Sequence, residues 1–380
     1  MPPIALFHAY GDAATEAAAL AVLRSGQIAS GPKVGEFQSA LQPWLGLPHG
    51  VTTSDMSSAM LLALHACGVG IGDEVLSPAY TCMSSAAPIA NLGARPRWVD
   101  VDRATGLLDP QALRGRITAR TKACVVYHAA GYPAPMPEIA SICREHGIAL
   151  IEDCNTALGA RLQGQAVGAW GDAAVYSFYP NRQLNGIEGG AVAWRDPARA
   201  ERALRLRRFG IAPSGFRDAL GEINPASDVA EVGWSAALSQ LHSAVALAQL
   251  PGLSGRLLAT RTHAERLVER LAERLAGLPG LTVVAPGVGA QPCYWTLLVR
   301  VLAGHRDAVL AALKRQGVMA SKLHHRIDSY TGFAADAVDL PGTTAFLEQV
   351  IALPCGHWLD TADLDRIAAV LTSALQGARG

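Results

Sequence analysis

The sequence contains few lysines. Only four occur among its 32 lysines and arginines, and they are Lys33, Lys122, Lys314 and Lys322. The chain also lacks a net charge, because 32 acidic residues match the 32 basic ones. A balanced charge provides no general attraction to nucleic acid or to an anionic membrane surface. We therefore expect neither as a partner.

The cysteines show no metal or disulfide pattern. Seven are present, but no two form a CxxC pair, and most lie in apolar runs. This distribution is typical of reduced, buried cysteines in a cytoplasmic protein. Cys355 and His357 lie close in sequence, as do His324 and His325, but neither pair has a third ligand nearby. We expect no metal site.

The chain has no run of about 20 apolar residues, the length that a membrane-spanning helix needs. Hydrophobic residues nevertheless make up 50% of the 380 positions, which suffices for a large core. No basic segment followed by an apolar one stands at the N-terminus, so we expect a cytoplasmic protein. We predict two domains: residues 1–250 form a large domain with an N-terminal arm, and residues 251–380 form a smaller α/β domain.

Short apolar strands alternate with amphipathic helices from Ser54 onward. This alternation predicts an α/β fold with a mostly parallel sheet covered on both faces. The central predicted elements are the strand Ala123–His128, the helix Pro137–His146, and the strands Ala149–Asp153, Ala173–Ser177 and Ala191–Trp194. Ligands of such sheets lie outside the carboxyl ends of the strands, where His128, Asp153 and Ser177 fall.

The second half of the chain begins with a region rich in arginine, glycine and proline. We predict that residues 195–232 are irregular, as a long functional or mobile loop would be. Helices are predicted over Ala236–Leu250 and Leu253–Leu275. A smaller set of strands and helices then follows, ending in a helix over Ala362–Leu375.

Several segments carry a family resemblance. They are Gly72–Pro78, Gly93–Asp102, Ile151–Ala160, Ser177–Pro180, Gly186–Gly190 and Leu353–Leu359. In this order they resemble the signature of the DegT/DnrJ/EryC1/StrS family, fold-type-I sugar aminotransferases that use pyridoxal phosphate (PLP). The resemblance implies a large domain with a mostly parallel, seven-stranded-type sheet and a smaller C-terminal α/β domain. It also implies a homodimer with active sites at the subunit interface.

The resemblance assigns cofactor contacts to particular positions. Asp153 matches the carboxylate that pairs with the pyridine nitrogen and keeps it protonated. Met56 and Ser57, at a predicted helix start, match the Gly and Thr of a phosphate-binding turn. Ser177 matches a second phosphate contact. Ser235 replaces an Asn that the family extends to the phosphate from the neighbouring subunit.

Other cofactor contacts have changed. Cys82 stands where an aromatic ring usually stacks on the cofactor, although Tyr80 points to the same side of an extended segment. Thr156 replaces the usual Gln or His beside the phenolic oxygen. Arg182 matches the lysine that forms the Schiff base and then transfers protons.

Arg182 changes the expected chemistry. A guanidinium stays protonated in proteins, so it neither attacks an aldehyde nor acts as a general base. Ordinary transamination should therefore fail, and PLP or pyridoxamine phosphate (PMP) should bind non-covalently if it binds at all. Lys322 is the one lysine that could replace the missing amine. His128, His324 and His325 are candidate acid–base groups, since histidine titrates near neutral pH.

Three functions are compatible with these residues. The first is a diverged enzyme of nucleotide-sugar, polysaccharide or natural-product biosynthesis that acts on a small molecule such as an anionic or nucleotide-linked sugar. Arg182 suits such a substrate, because its planar fork of donors pairs with carboxylates and phosphates. The second is a cofactor-free enzyme or anion-binding protein that uses the cleft in which the family binds PLP. The third is an inactive partner subunit of an active homologue.

Overall fold

The computed structural model describes residues 2–212, 214–274, 280–302, 304–336 and 338–378. Its strands are β1 (His49–Thr53), β2 (Glu74–Pro78), β3 (Arg95–Val99), β4 (Thr121–Tyr127), β5 (Ala149–Asp153), β6 (Arg161–Leu162), β7 (Gln165–Ala166), β8 (Ala173–Ser177), β9 (Gly190–Trp194), β10 (Leu281–Val283), β11 (Ala290–Gln291), β12 (Leu297–Val301) and β13 (Val350–Leu353). Its helices are α1 (Ala13–Ser25), α2 (Pro32–Leu41), α3 (Met56–Ala66), α4 (Met83–Asn91), α5 (Pro110–Arg116), α6 (Met136–Glu145), α7 (Pro197–Leu206), α8 (Gln240–Gln249), α9 (Leu253–Arg274), α10 (Arg306–Arg315), α11 (Pro341–Leu347) and α12 (Thr361–Gly377). None of these helices is long and apolar enough to cross a membrane.

Seven strands form the main sheet, in the order β1-β9-β8-β5-β4-β2-β3. Within it β9 runs antiparallel to β1 and β8, and the other neighbouring pairs are parallel. The central strands are apolar and almost fully buried, as expected when helices cover both faces of a sheet. The predicted mostly parallel, seven-stranded α/β sheet is confirmed.

The register of the central strands brings polar positions to one edge of the sheet. Tyr127 pairs with Asp153, which pairs with Val175, so β4, β5 and β8 run side by side. His128 directly follows β4, and Asp153 and Ser177 are the last residues of β5 and β8. These side chains therefore lie where parallel sheets bind their ligands.

A second, antiparallel sheet lies in the C-terminal part of the chain, in the order β10-β12-β13. Helix α12 packs against α9 and α10 beside this sheet. Helix α9 follows the predicted Leu253–Leu275, with Leu275 itself outside the described residues. One apolar cluster includes both Val126 of β4 and Leu298 of β12, which joins the two sheets. The predicted domain boundary at residue 250 stays a prediction.

The region 195–232 is less irregular than we predicted, because it contains α7. Asp196 caps this helix and a proline opens it. The helix is amphipathic, and its buried residues are Ala200, Ala203 and Leu206. The many arginines of this region made the pattern hard to recognise in the sequence. Helix α8 begins later than predicted, at Gln240, because the Ser239 side chain caps its first turn.

Candidate active site

Asp153 lies at the end of β5 and is fully buried. Ser85 Oγ donates to its Oδ2, and the backbone N–H and side-chain amide of Asn155 donate to its Oδ1 at 3.1 and 2.9 Å. Burial raises the pKa of this carboxyl group, and these hydrogen bonds oppose the rise. The carboxylate is thus held in one orientation while lone pairs remain for a further donor.

His128 and Glu152 form a buried pair behind the strand ends. The N–H of Ala134 donates to His128 Nδ1 at 3.0 Å. The ring proton therefore lies on Nε2, which donates to Glu152 Oε2 at 3.1 Å. Glu152 also accepts hydrogen bonds of 2.7 to 2.8 Å from the backbone N–H groups of Gly168, Trp170 and Gly171. Both ring nitrogens of His128 are engaged in the core.

This pair also belongs to a group of potential metal ligands. Atoms of His128, Glu152 and Cys154 lie within 4.8 Å of one another. The imidazole and the carboxylate are already satisfied by protein hydrogen bonds. Burial raises the pKa of the Cys154 thiol well above its usual range, which disfavours the thiolate that a metal needs. We assign no metal to this group.

The predicted phosphate contacts lie close together beside β1, β9 and β8. Ser177 pairs with Gly190 across β8 and β9. A Cβ atom built on Gly190 would lie 2.6 Å from the carbonyl oxygen of Asp55. Asp55 is the N-cap of α3, whose first residues are Met56 and Ser57. The N-terminal N–H groups of α3 therefore lie near Ser177, an arrangement that suits a phosphate.

Asp55 is a charged group that the sequence analysis overlooked. Its carboxylate accepts hydrogen bonds of 2.7 Å from the backbone N–H of Ser58, from the Ser58 hydroxyl and from Ser54 Oγ. A carboxylate at this position satisfies the helix end, but it also repels a second anion nearby. An acidic residue directly before a helix is a usual capping signal, so the capping role of Asp55 could have been predicted from the sequence.

Arg182 lies in the loop after β8. Its guanidinium lies over the ring of Trp295 at 4.7 Å, and Nη1 donates to Asn181 Oδ1 at 2.6 Å. Burial lowers the pKa of Arg182, whereas the nearby Tyr127 and Asp153 oppose the change. Nε is buried and has no hydrogen-bond partner among the described residues. A cation with a buried donor that has no partner among the described residues therefore interacts electrostatically with the Asp153 carboxylate.

The N-terminal arm packs against the outer side of this loop. Phe7 stacks on Trp295 with ring centroids 4.3 Å apart, and Trp295 Nε1 donates to the carbonyl oxygen of Asn181 at 2.6 Å. A cavity of about 40 Å³ remains among these groups, Arg182 and His357. Arg182 is therefore confined between Trp295 and the strand ends.

Tyr80, Tyr127 and His324 form a polar aromatic cluster at the strand ends. Tyr127 Oη lies 3.1 Å from His324 Nε2, and the rings of Tyr80 and Tyr127 meet His324 edge-on at 5.3 and 5.5 Å. Thr156 Oγ1 donates to the carbonyl oxygen of His128 at 3.1 Å and lies 3.4 Å from Tyr127 Oη. The Tyr80 hydroxyl is buried and has no partner among the described residues.

Burial shifts the pKa values of this cluster. Burial, assisted by the charge of Arg182, lowers the pKa of His324 to about 4, so its imidazole is neutral near pH 7. Burial raises the pKa of Tyr127, whose environment also includes Cys82. Cys82 is partly buried and hydrogen-bonds to Ser84.

Tyr127 is the residue of this cluster that sequence reasoning missed. It ends an apolar strand, and it meets His324 across 197 residues of sequence.

Three predicted site residues point to the surface instead. Lys322 is 51% exposed and its Nζ pairs with Asp307 at 3.3 Å, so burial does not activate its amine. His325 is exposed, and its Nε2 lies 2.9 Å from Ser329 Oγ. Ser235 is also exposed.

Comparisons with known proteins agree on one family. Its model, described as the DegT/DnrJ/EryC1/StrS aminotransferase family, matches residues 10–372. The aminotransferase TlmJ from Streptoalloteichus hindustanus is 29% identical over 99% of both chains, with a TM-score of 0.90. The sugar aminotransferase CalS13 from Micromonospora echinospora is 28% identical over 97% of this chain and 99% of that chain, with a TM-score of 0.89. DesV from S. venezuelae, solved in complex with a ketimine intermediate, is 27% identical over 99% of both chains, with a TM-score of 0.86. The chain therefore belongs to the DegT/DnrJ/EryC1/StrS aminotransferase family and has the fold-type-I architecture.

Proposed function

We propose that the protein is a sugar-processing enzyme that binds PMP or PLP non-covalently and does not carry out lysine-dependent transamination. The residue that carries this proposal is Arg182, which the resemblance aligns with the expected lysine and whose charge interacts with that of Asp153. A guanidinium remains protonated near neutral pH even where burial lowers its pKa. It therefore neither forms a Schiff base nor removes a proton as a base.

Unpaired polar atoms around the strand ends support a ligand site. Asn155 Oδ1, Tyr80 Oη and Arg182 Nε are buried and have no hydrogen-bond partner within the described ranges. Asn155 itself donates to Asp153, so one of these unpaired atoms lies directly beside the carboxylate. Buried polar atoms are rarely left unpaired in native proteins, and a group of them indicates a missing partner.

The residues present fit a non-covalently held cofactor of this class. Asp153 would hold the ring nitrogen, Ser57 and Ser177 would hold the phosphate, and Thr156 would contact the phenolic oxygen. When bound, PMP supplies an amino group and a ring that delocalises an electron pair. Arg182 would orient the substrate by pairing its guanidinium with a carboxylate or phosphate. Packing around the strand ends would exclude water and strengthen these charge interactions.

We further propose that the substrate is an anionic or nucleotide-linked sugar of nucleotide-sugar, polysaccharide or natural-product biosynthesis in the cytoplasm. The similarity to the sugar aminotransferase CalS13 supports a sugar, and the charge of Arg182 supports an anionic group.

Exposed apolar side chains support a homodimer. Phe209, Leu220 and Val232 are 55%, 87% and 80% exposed, and all three belong to the segment between α7 and Ser235. Apolar side chains gathered on a surface are typical of a subunit interface. Ser235 would then reach the phosphate of the neighbouring subunit. Analytical ultracentrifugation should give a dimer at micromolar concentration, and a monomer at that concentration would contradict this proposal.

Thermal melting with added cofactor tests the proposed function. PMP should raise the melting temperature of the wild type, because a ligand that binds only the folded state stabilises it. Asp153→Asn should lose most of this rise, since a neutral amide no longer pairs with a protonated ring nitrogen. Asp365→Asn, which changes a half-exposed surface carboxylate, should keep it. A wild type whose melting temperature is raised by neither PMP nor PLP would overturn the proposal.

A second candidate is a cofactor-free enzyme or anion-binding protein. The observation in its favour is the carboxylate of Asp55, which caps α3 where the resemblance expects a phosphate and would repel a dianion there. In this case a small carboxylate such as pyruvate, paired with Arg182, should stabilise the protein more than PMP does. Arg182→Gln should abolish that stabilisation.

A further inference from the structure

Chemistry that uses the electron-delocalising ring of PMP needs a group that moves protons, because Arg182 cannot. His128 uses both ring nitrogens in the core. His325 and Lys322 are exposed and bond to other surface groups. His324 is the remaining candidate from the sequence, and it lies in the aromatic cluster at the strand ends.

The surroundings of His324 distinguish its two ring nitrogens. Nε2 lies 3.1 Å from Tyr127 Oη, and the edge-on ring of Tyr80, itself packed against Phe346, limits movement of the imidazole. Nδ1 has no hydrogen bond within the described part of the chain, and it is not among the buried unpaired atoms. Nε2 is therefore held by the protein while Nδ1 is available to a ligand.

The titratable and charged groups around His324 come from four elements. Tyr80 follows β2, Tyr127 ends β4, and Arg182 follows β8, while Asp153 at the end of β5 acts on both Tyr127 and Arg182. Burial and then the charge of Arg182 lower the pKa of His324 to about 4. An anion that pairs with Arg182 cancels part of this charge and raises the pKa of His324. Ligand binding thus makes the imidazole a stronger base.

We propose that His324 is the proton-transfer group of this cleft, acting through Nδ1, and that Tyr127 positions its ring through Nε2. This assignment rests on the proposed function. In the forward step a C–H bond of the bound ligand breaks, its proton forms a bond to Nδ1, and the electron pair stays on the ligand. The reverse step returns the proton and restores the neutral imidazole, so neither direction needs an oxidant or a reductant.

Imidazole NMR tests the coupling between His324 and Arg182 without any turnover. The His324 signal is assigned from its loss in His324→Gln, and its pKa is measured with and without inorganic phosphate. We expect the pKa to rise when phosphate is added, to be higher in Arg182→Gln than in the wild type, and to lose its response to phosphate in that variant. A His324 pKa that neither phosphate nor Arg182→Gln changes would overturn the coupling.

Hydrogen exchange of the C4′ methylene of PMP in D₂O tests proton transfer itself. His324→Gln keeps a side chain that can hydrogen-bond to Tyr127, and it should slow exchange by about 10²- to 10⁴-fold, the usual contribution of a positioned acid or base. Tyr127→Phe should slow exchange less and shift its pH profile, because the ring remains but loses its hydrogen bond. His146→Gln, at an exposed position after α6, should exchange like the wild type.

The outcomes separate this inference from the proposed function. If PMP binds and His324→Gln exchanges at the wild-type rate, or if the loaded wild type does not exchange at all, His324 is not the proton-transfer group. If PMP fails to bind, the proposed function is lost. The NMR titration with phosphate then decides whether His324 still responds to an anion at Arg182.

Discussion

Replacing Glu152 with Gln should destabilise the folded protein by about 2 to 6 kcal/mol, because it breaks the buried pair with His128. Glu152 lies directly before Asp153 in β5, so its hydrogen bonds also help to fix the orientation of the site. The change is nearly isosteric, and any loss of stability therefore reports on hydrogen bonding rather than on packing.

The magnitude follows from the partners of this carboxylate. It accepts four hydrogen bonds, from His128 Nε2 and from the N–H groups of Gly168, Trp170 and Gly171. If the amide oxygen of Gln takes the place of Oε1, the amide N–H₂ group faces two donors. His128 cannot move its proton to Nδ1, because the N–H of Ala134 already donates there. Two buried donors then lose their acceptor, at about 1–3 kcal/mol each.

Guanidinium denaturation followed by tryptophan fluorescence measures this loss as a change in the free energy of unfolding. Glu145→Gln is the matched control, since Glu145 is an exposed carboxylate that pairs with Arg114, and little change is expected. A decrease of less than about 1 kcal/mol in the free energy of unfolding of Glu152→Gln would refute the claim that two buried donors lose their acceptor.

Three further changes test other contacts. The hydrogen bond from Arg202 is the largest of the effects that lower the pKa of Glu231 to about 2. The stability of the folded protein should therefore fall as the pH drops from about 4.5 towards 2. Arg202→Gln should flatten this fall in thermal melts between pH 5 and 2. Ser85→Ala should raise the pKa of Asp153 further, as followed by carboxyl NMR, because a hydrogen bond that favours the carboxylate is lost. Between pH 6.5 and about 4 the unfolded state binds a proton at His324 more readily than the folded state does. The stability of the folded protein should therefore fall as the pH is lowered across this window, and it should fall less in His324→Gln.

The fold and one half of the site could be predicted from local patterns. The apolar strands that end in Asp153 and Ser177 have polar residues where the strand stops, and parallel strands align such ends at one edge. The match of Arg182 to the family lysine rests on neighbours that retain the family pattern without gaps, and it stays a prediction.

The other half depends on contacts between distant segments. Tyr127 looks like the last residue of an apolar strand until its hydrogen bond to His324 is known. Trp295, over which Arg182 lies, belongs to the C-terminal part of the chain and carries no local signal of that contact. Lys322 could be excluded only from its exposure and its pairing with Asp307, neither of which the sequence states.

Covalent capture of PLP tests the central claim about Arg182 most directly. The wild type and Arg182→Lys are each incubated with PLP, reduced with borohydride and analysed by peptide mass spectrometry. We predict no stoichiometric pyridoxyl adduct on the wild type and one stoichiometric adduct at position 182 of the variant, because only the variant has an amine at that position to form a reducible bond with the aldehyde. A stoichiometric adduct on the wild type, at Lys322 for example, would contradict the claim that Arg182 removes covalent cofactor chemistry from this cleft.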